Sequence, residues 1–274
     1  MKLLKNDKEV YHNISVVKRK ADEYITNFYF TGSKLKDLIY NNELYVIDNT
    51  NNIFFLRKND GFFNLYLCSS NKSFLEKSLA EDLTNIKLPI VTDLVGEEKT
   101  IKELKDIFIK NDFCYYTTFI RLSRINDNND SLYMANDFMY AKPEDSSEIY
   151  NIISNNFNKY SEHIPPLEEI KDAINKYTIL IKKEKDKIVA LSFHDKIGFS
   201  SIHRYLFVDK NFRGQKLGTK ILKKYFDECK TIKKFMLWVE LSNNKAINIY
   251  EDLGYKYDNL IDIIMIKGYM DEKN

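Results

Sequence analysis

Glycine and proline are scarce in this chain, at 8 and 4 of 274 residues, about a third of their ordinary share. That excludes collagen-like and low-complexity classes. Cysteine is scarcer still: Cys68, Cys114 and Cys229 are odd in number and far apart. They form neither a disulfide framework nor a metal-binding spacing, which points to a reducing cytoplasm. The four histidines (His12, His163, His194, His203) make no HExxH or CxxC-type arrangement, so no metal is expected. No apolar run approaches the roughly 20 residues that cross a bilayer. The opening MKLLKNDKEVYHNISVVKRK has charges where a signal peptide has an apolar stretch, so no membrane association is expected. An excess of one charge is missing too, since Lys plus Arg is 42 and Asp plus Glu is 40, for a net charge of +2. A nucleic-acid binder usually carries a strong basic excess, so no nucleic-acid partner is expected.

What is present is material for a core: 44% of residues are hydrophobic and 14% aromatic, which excludes disorder for most of the chain. The length fits one large domain or two smaller ones. The run NDNNDS, beginning at Asn126, holds no apolar residue and is rich in turn formers, so a boundary is placed between domains 1–130 and 131–274.

The first part reads as mixed α/β. Strands are expected over 44–47, 53–56 and 62–67, joined by Asn-rich hairpin connections, then a helix, a strand, an amphipathic helix and a strand over 114–122. It carries no glycine-rich turn. The second part reads as a short strand, two helices parted by a loop at residues 158–166, then strands over 177–182, 188–194 and 201–208. A helix is expected over 214–230, a strand over 235–240, a helix over 243–253 and a last strand over 260–267. Helices covering a meander of strands give an α/β (α+β) layered fold.

The most specific stretch is LFVDKNFRGQKLGTKIL, beginning at Leu206. An apolar strand ends at Val208, a turn holds Arg213 and Gly214, and a helix follows. A helix N-terminus offers free N–H groups and partial positive charge to an anion, and Arg213 and Lys216 add to it. The turn is neither GxxxxGK[ST] nor GxGxxG. Taken alone, it fits an ordinary strand-to-helix connection equally well.

A second stretch, WVELSNNKAINIYEDLGY, begins at Trp238. Together the two resemble the GNAT N-acetyltransferase superfamily. The family's strand-end Val, Arg-Gly and following glycine correspond to Val208, Arg213-Gly214 and Gly218, with Lys216 where a middle glycine is usual. Its Asn-x-x-Ala-x-x-x-Tyr-x-x-x-Gly pattern corresponds to Asn243, Ala246, Tyr250 and Gly254. The resemblance implies acetyl-CoA as cosubstrate. Leu206, Phe207 and Val208 would bond the pantetheine arm where the family's fourth and fifth strands splay. Arg213, Gly214, Gln215, Lys216, Leu217, Gly218 and Thr219 would cradle the pyrophosphate, and Asn243 would lie near the arm. Tyr250 would protonate the leaving thiolate, with plain core packing as its alternative. For the base, His203 and Glu240 are candidates, and His194 a third. The loop at residues 160–166 stands where the family places acceptor-binding residues, and it also fits an ordinary surface loop.

The first part's order of elements resembles a degenerate copy of the same fold, so a tandem arrangement with cofactor bound only by the second copy is expected. The function implied is transfer of an acetyl group to a primary amine of a small molecule or protein, in a monomer or homodimer. Two alternatives stand beside it: a non-catalytic CoA-binding regulator, and a Fem-type aminoacyl-tRNA-dependent transferase, a class that normally lacks the Arg-Gly turn.

Overall fold

The computed structural model describes residues 1–30, 32–126 and 137–268, with no side-chain account of residue 33. The boundary expected near residue 130 lies outside the described residues. Two compact units form, Met1–Thr118 with Leu260–Asn274, and Phe119–Asn259. No helix among the described residues is long and apolar enough to cross a membrane.

In chain order the first stretch gives β1 (Lys2–Leu3), α1 (Asp7–Lys20), β2 (Ile25–Thr26), α2 (Gly32–Tyr40), β3 (Leu44–Asp48), β4 (Asn52–Lys58), β5 (Phe63–Ser69), α3 (Lys72–Asp82), β6 (Ile90–Glu97), α4 (Glu98–Lys110) and β7 (Phe113–Ile125). The second gives β8 (Met139–Tyr140), α5 (Ser146–Asn156), α6 (Leu167–Asn175), β9 (Ile179–Glu184), β10 (Lys187–Ile197), β11 (Ser200–Val208), α7 (Leu217–Glu228), β12 (Lys234–Glu240), α8 (Asn244–Asp252) and β13 (Lys256–Lys267). Apart from β2, which lies between the first stretch's first two helices, each stretch repeats one layout: a short strand, two helices, a three-stranded meander, a helix, a strand, a helix and a final strand.

In the first unit β3, β4 and β5 form the expected antiparallel meander. Its first hairpin turns on Asn49, whose Oδ1 accepts the N–H groups of Asn51 and Asn52 at 3.0 and 2.8 Å. β6 joins β5 in parallel, which the helical crossover α3 permits. Residues 260–267 of β13 pair antiparallel with β6. The core gathers Leu35, Leu44, Val46, Ile53 and Phe55 beneath Val10 and Val17 of α1.

In the second unit β9, β10 and β11 form the meander, and β12 joins β11 in parallel. Residues 119–125 of β7 pair antiparallel with β12. Thus the strand that by chain order closes the first copy lies in the second unit's sheet, and the chain's last strand lies in the first unit's sheet. One face of the second sheet packs on α7 and α8 through Leu222, Tyr225, Phe226, Phe235 and Leu237. The other face packs on α5 and α6 through Ile149, Ile153, Ile170, Leu191 and Phe193. Each such side chain contributes about 1.5–3 kcal/mol by leaving water.

Candidate functional site

The site is built where β11 leaves β12. The two strands pair in parallel from Ser200–Lys234 to His203–Leu237, and no later residue of β11 has a β12 partner. The cause is local. Along the β10–β11 ladder Phe193 faces Tyr205 and His194 faces His203, so Arg204 is an extra residue on β11. Such a bulge bends its strand and reverses the alternation of faces. Ser201 and His203 lie on the α7 side before the bulge. Leu206 and Val208 lie there after it, while Tyr205 and Phe207 pack toward α5 and α6. Arg204 is held on that second side, with Nη1 at 2.7 Å from Glu169 and 3.5 Å from Asp195, stacked on Phe193.

From Val208 the chain enters a tight turn. Asp209 caps a 3₁₀ turn, Lys210–Phe212, by accepting the Asn211 N–H at 2.8 Å. Arg213 donates through Nε to the Val208 carbonyl at 3.4 Å. Gly214 has φ +84° with open space around the position a Cβ would take. There a side chain costs about 1–2 kcal/mol, which explains the glycine. Lys216 is also left-handed, with φ 58°. Two left-handed residues cannot be helical, so α7 begins at Leu217 rather than at the expected Gly214. Its N-terminus has no side-chain cap, and the first amide bonded back into the helix is Lys220, to the Lys216 carbonyl at 3.0 Å. The amides of Leu217, Gly218 and Thr219 are therefore helix-end donors. A methyl group on Gly218 would touch Leu206 and Val208 only at ordinary distances of 3.7 and 3.8 Å. Packing within the protein does not require glycine there.

Asn243 caps α8: its Oδ1 accepts the Ala246 N–H at 3.1 Å, a structural reason for the Asn-x-x-Ala spacing. Tyr250 is buried in the cluster under α8, its ring 5.8 Å from that of Tyr255. Burial, reinforced by the charge of Glu162, pushes its hydroxyl pKa up. Phe235, Leu237 and Val239 of β12 face α7 and α8, so Trp238 and Glu240 project from the opposite face.

In the loop after α5, expected as an acceptor-binding segment or an ordinary surface loop, the structure singles out Glu162. Asn158 shapes it, accepting the Tyr160 N–H on Oδ1 and the Glu162 N–H on its carbonyl, both at 2.9 Å. The Tyr205 hydroxyl pins it by donating to the carbonyls of Glu162 (2.6 Å) and His163 (3.0 Å). Glu162 is thereby turned inward, with Oε2 buried and without a hydrogen-bond partner among the described residues. Desolvation, aided by the charge of Glu240, raises its pKa to about 7. The charge of Glu240 thus acts on Glu162, and that of Glu162 on Tyr250.

The histidines do not join them. His203 is 3% exposed, bonded to Ser192 Oγ at 2.9 Å and stacked near Tyr225, with its pKa pushed down to about 3 by burial. His194 is fully buried, with Nε2 at 3.6 Å from Cys229 Sγ, and is likewise lowered to about 3, chiefly by burial. Both are neutral core groups on the α7 side. The structure places both expected base candidates in the core, His203 bonded to Ser192 and His194 beside Cys229, and the bulge at Arg204 turns His203 there. No group of three or more His, Cys, Asp or Glu among the described residues could hold a metal ion.

Comparison with known proteins bears on this geometry. Residues 175–257 match the family model described as the acetyltransferase (GNAT) domain. No curated protein matches the chain. Among solved structures, a Drosophila protein is similar at 12% identity, covering 96% of this chain and 97% of that one, with a TM-score of 0.61. A tandem GNAT protein from the clavulanic acid biosynthesis pathway is similar at 8% identity over 98% of both chains, again with a TM-score of 0.61. A GCN5-related N-acetyltransferase from Sphaerobacter thermophilus is similar at 11% identity over 85% and 84%, with a TM-score of 0.57. At these identities the likeness is one of fold, and it extends over both copies of the layout. With its bulged, parting strands, the second unit carries an acetyltransferase (GNAT) domain at residues 175–257, and the chain has the fold of a tandem GNAT pair.

Proposed function

We propose that residues 119–259 bind acetyl-CoA and transfer its acetyl group to an amine. The observation that carries this reading is a coincidence along one stretch of chain, residues 204–219. The strand backbone left without a β12 partner runs directly into a turn that delivers an uncapped helix N-terminus. Strand groups without a β12 partner suit the amides of a pantetheine arm, and helix-end donors beside Arg213 and Lys216 suit a pyrophosphate. Bound there, acetyl-CoA supplies an acetyl group activated as a thioester.

The chain's own residues supply the proton handling. An amine acceptor arrives as an ammonium ion, favoured by the carboxylates of Glu162 and Glu240. It must lose a proton before it can attack. Glu162, with its pKa near 7, is poised to take that proton at neutral pH. Tyr250, whose pKa is raised by burial, keeps its proton at neutral pH and can give it to the departing thiolate. Asn243 holds α8, and so Tyr250, in place.

The test is thiol release from acetyl-CoA with a panel of primary amines, followed by a thiol reagent, with an amine-free blank because Cys114 is exposed. Amine-dependent release supports the reading. Saturable acetyl-CoA binding with no release for any amine would instead favour a non-catalytic CoA-binding protein.

A further inference from the structure

The first unit repeats the parting of strands but fills it. β5 and β6 run parallel only through Phe63–Ile90 and Asn64–Val91, then separate as β11 and β12 do. β2 pairs antiparallel with the free end of β5, with Ile25 opposite Ser69 and Thr26 opposite Cys68. The next residue, Asn27, bridges the gap with its side chain. Its Oδ1 accepts the Leu67 N–H at 2.7 Å. Its Nδ2 donates to the carbonyls of Asp93 at 2.9 Å and Leu65 at 3.3 Å, and to Thr92 Oγ1 at 3.1 Å. The Thr26 hydroxyl and the Asn27 N–H both donate to the Leu67 carbonyl, at 2.8 and 3.3 Å. One carboxamide thus joins β5 to β6 through backbone groups that parting strands leave unsatisfied. The space that remains, lined by Thr26, Asn27, Leu67 and Leu94, is about 20 Å³, room for about one water.

The following helix is closed as well. β5 ends at Ser69 and α3 begins at Lys72, so there is no glycine turn. Asn71 caps α3 by accepting the Phe74 N–H at 2.9 Å, and its amide donates to Asp22 at 3.0 Å. The Ser70 carbonyl accepts the Glu23 N–H at 3.1 Å, and Glu23 pairs with Lys72 at 2.8 Å. Two carboxylates therefore stand at the helix start, where an anionic ligand would have to lie.

We propose that residues 22–27 are a built-in occupant of the first unit's slot. The chain then carries one cofactor site rather than two, the first copy holding a covalently attached substitute for a ligand. Only the identity of the second unit's ligand rests on the reading given under Proposed function. The filled slot stands on the first unit's own hydrogen bonds.

Hydrogen exchange on the full chain, with and without saturating acetyl-CoA, tests this. Amides of Leu67 and of residues 25–27 should exchange slowly without ligand and at the same rate with it, while residues 206–219 slow on addition. Fast exchange at Leu67 without ligand, or slowing there when acetyl-CoA is added, would overturn the proposal. If acetyl-CoA slows neither region while Leu67 remains protected, the filled slot stands and the reading of the second unit fails. Asn27→Ala should speed exchange at Leu67 by about tenfold or more, since the acceptor is lost. An unchanged rate in a folded variant would count against the bridge, and if the variant does not fold, the wild-type pattern decides.

Discussion

Glu162→Gln isolates the group on which the proposed chemistry turns. The substitution keeps the shape of the side chain and removes only its ionisation. In the folded chain desolvation holds the carboxyl at a pKa of about 7, against an ordinary 4.5. Below pH 4.5 it is protonated in both folded and unfolded chains and costs nothing. Between 4.5 and 7 the unfolded chain releases the proton and the folded chain retains it, so wild-type stability falls as pH rises. Above about 7 the full cost is present. At about 1.4 kcal/mol per pH unit the ceiling is about 3 kcal/mol. The variant should therefore match wild type near pH 4 and exceed it by up to about 3 kcal/mol at pH 8, in urea unfolding at both pH values. Taking the difference between the two proteins cancels the titration of every other group. Activity should move oppositely: kcat/KM falls by about 10²–10⁴, and the wild-type limb near pH 7 disappears. Equal stability at both pH values, with an unchanged pH–rate profile, would refute both the inward placement of Glu162 and its role.

Three further expectations follow from the same geometry. Tyr250→Phe keeps the packing and removes the hydroxyl, so single-turnover acetyl transfer should slow by about 10²–10⁴ with acetyl-CoA binding unchanged; a wild-type rate would leave Tyr250 a core residue. Because burial holds His194 and His203 at about 3, below the ordinary 6.5, the unfolded chain binds protons first, and stability should fall from pH 6.5 toward pH 3 by up to about 1.4 kcal/mol per pH unit for each; His203→Asn should flatten that slope, and an unchanged slope would show that His203 is not buried as a neutral group. Cutting the chain at residue 130 removes the β7 residues 119–125 from β12, so fragment 131–274 should aggregate where fragment 119–259 stays monomeric by size-exclusion chromatography; equal behaviour would contradict the assignment of strands to units.

Much of the site was legible in the sequence because its signals are local. Val208, Arg213, Gly214 and Gly218 mark a strand, a turn and a helix within one short stretch, and Asn243 with Ala246 encodes a cap. The start of α7 was placed too early because Lys216 adopts a left-handed backbone that no residue type there announces. The place of His203 in the core is not legible in the sequence, because simple alternation would put it on one face with Tyr205 and the bulge at Arg204 that breaks the alternation has no sequence mark. Glu162 does not stand out within its loop in the sequence because its raised pKa comes from burial, and the loop is pinned by Tyr205, a residue far along the chain. The strands that complete the two units were hidden for a different reason. Both follow an amphipathic helix and a short turn, so nothing local says which sheet each one joins.

The central claim, that the turn after β11 holds an acetyl-CoA pyrophosphate, is tested most directly by calorimetric titration of acetyl-CoA into wild type and Gly214→Glu. Gly214 stands at φ +84° in open space, so the variant places a negative charge beside Arg213 and the helix-end donors without disturbing the core. The account predicts one binding event per wild-type chain and none in the variant at the same concentrations, with the variant still folded by circular dichroism. Undiminished binding by a folded Gly214→Glu protein would contradict it and place the ligand elsewhere.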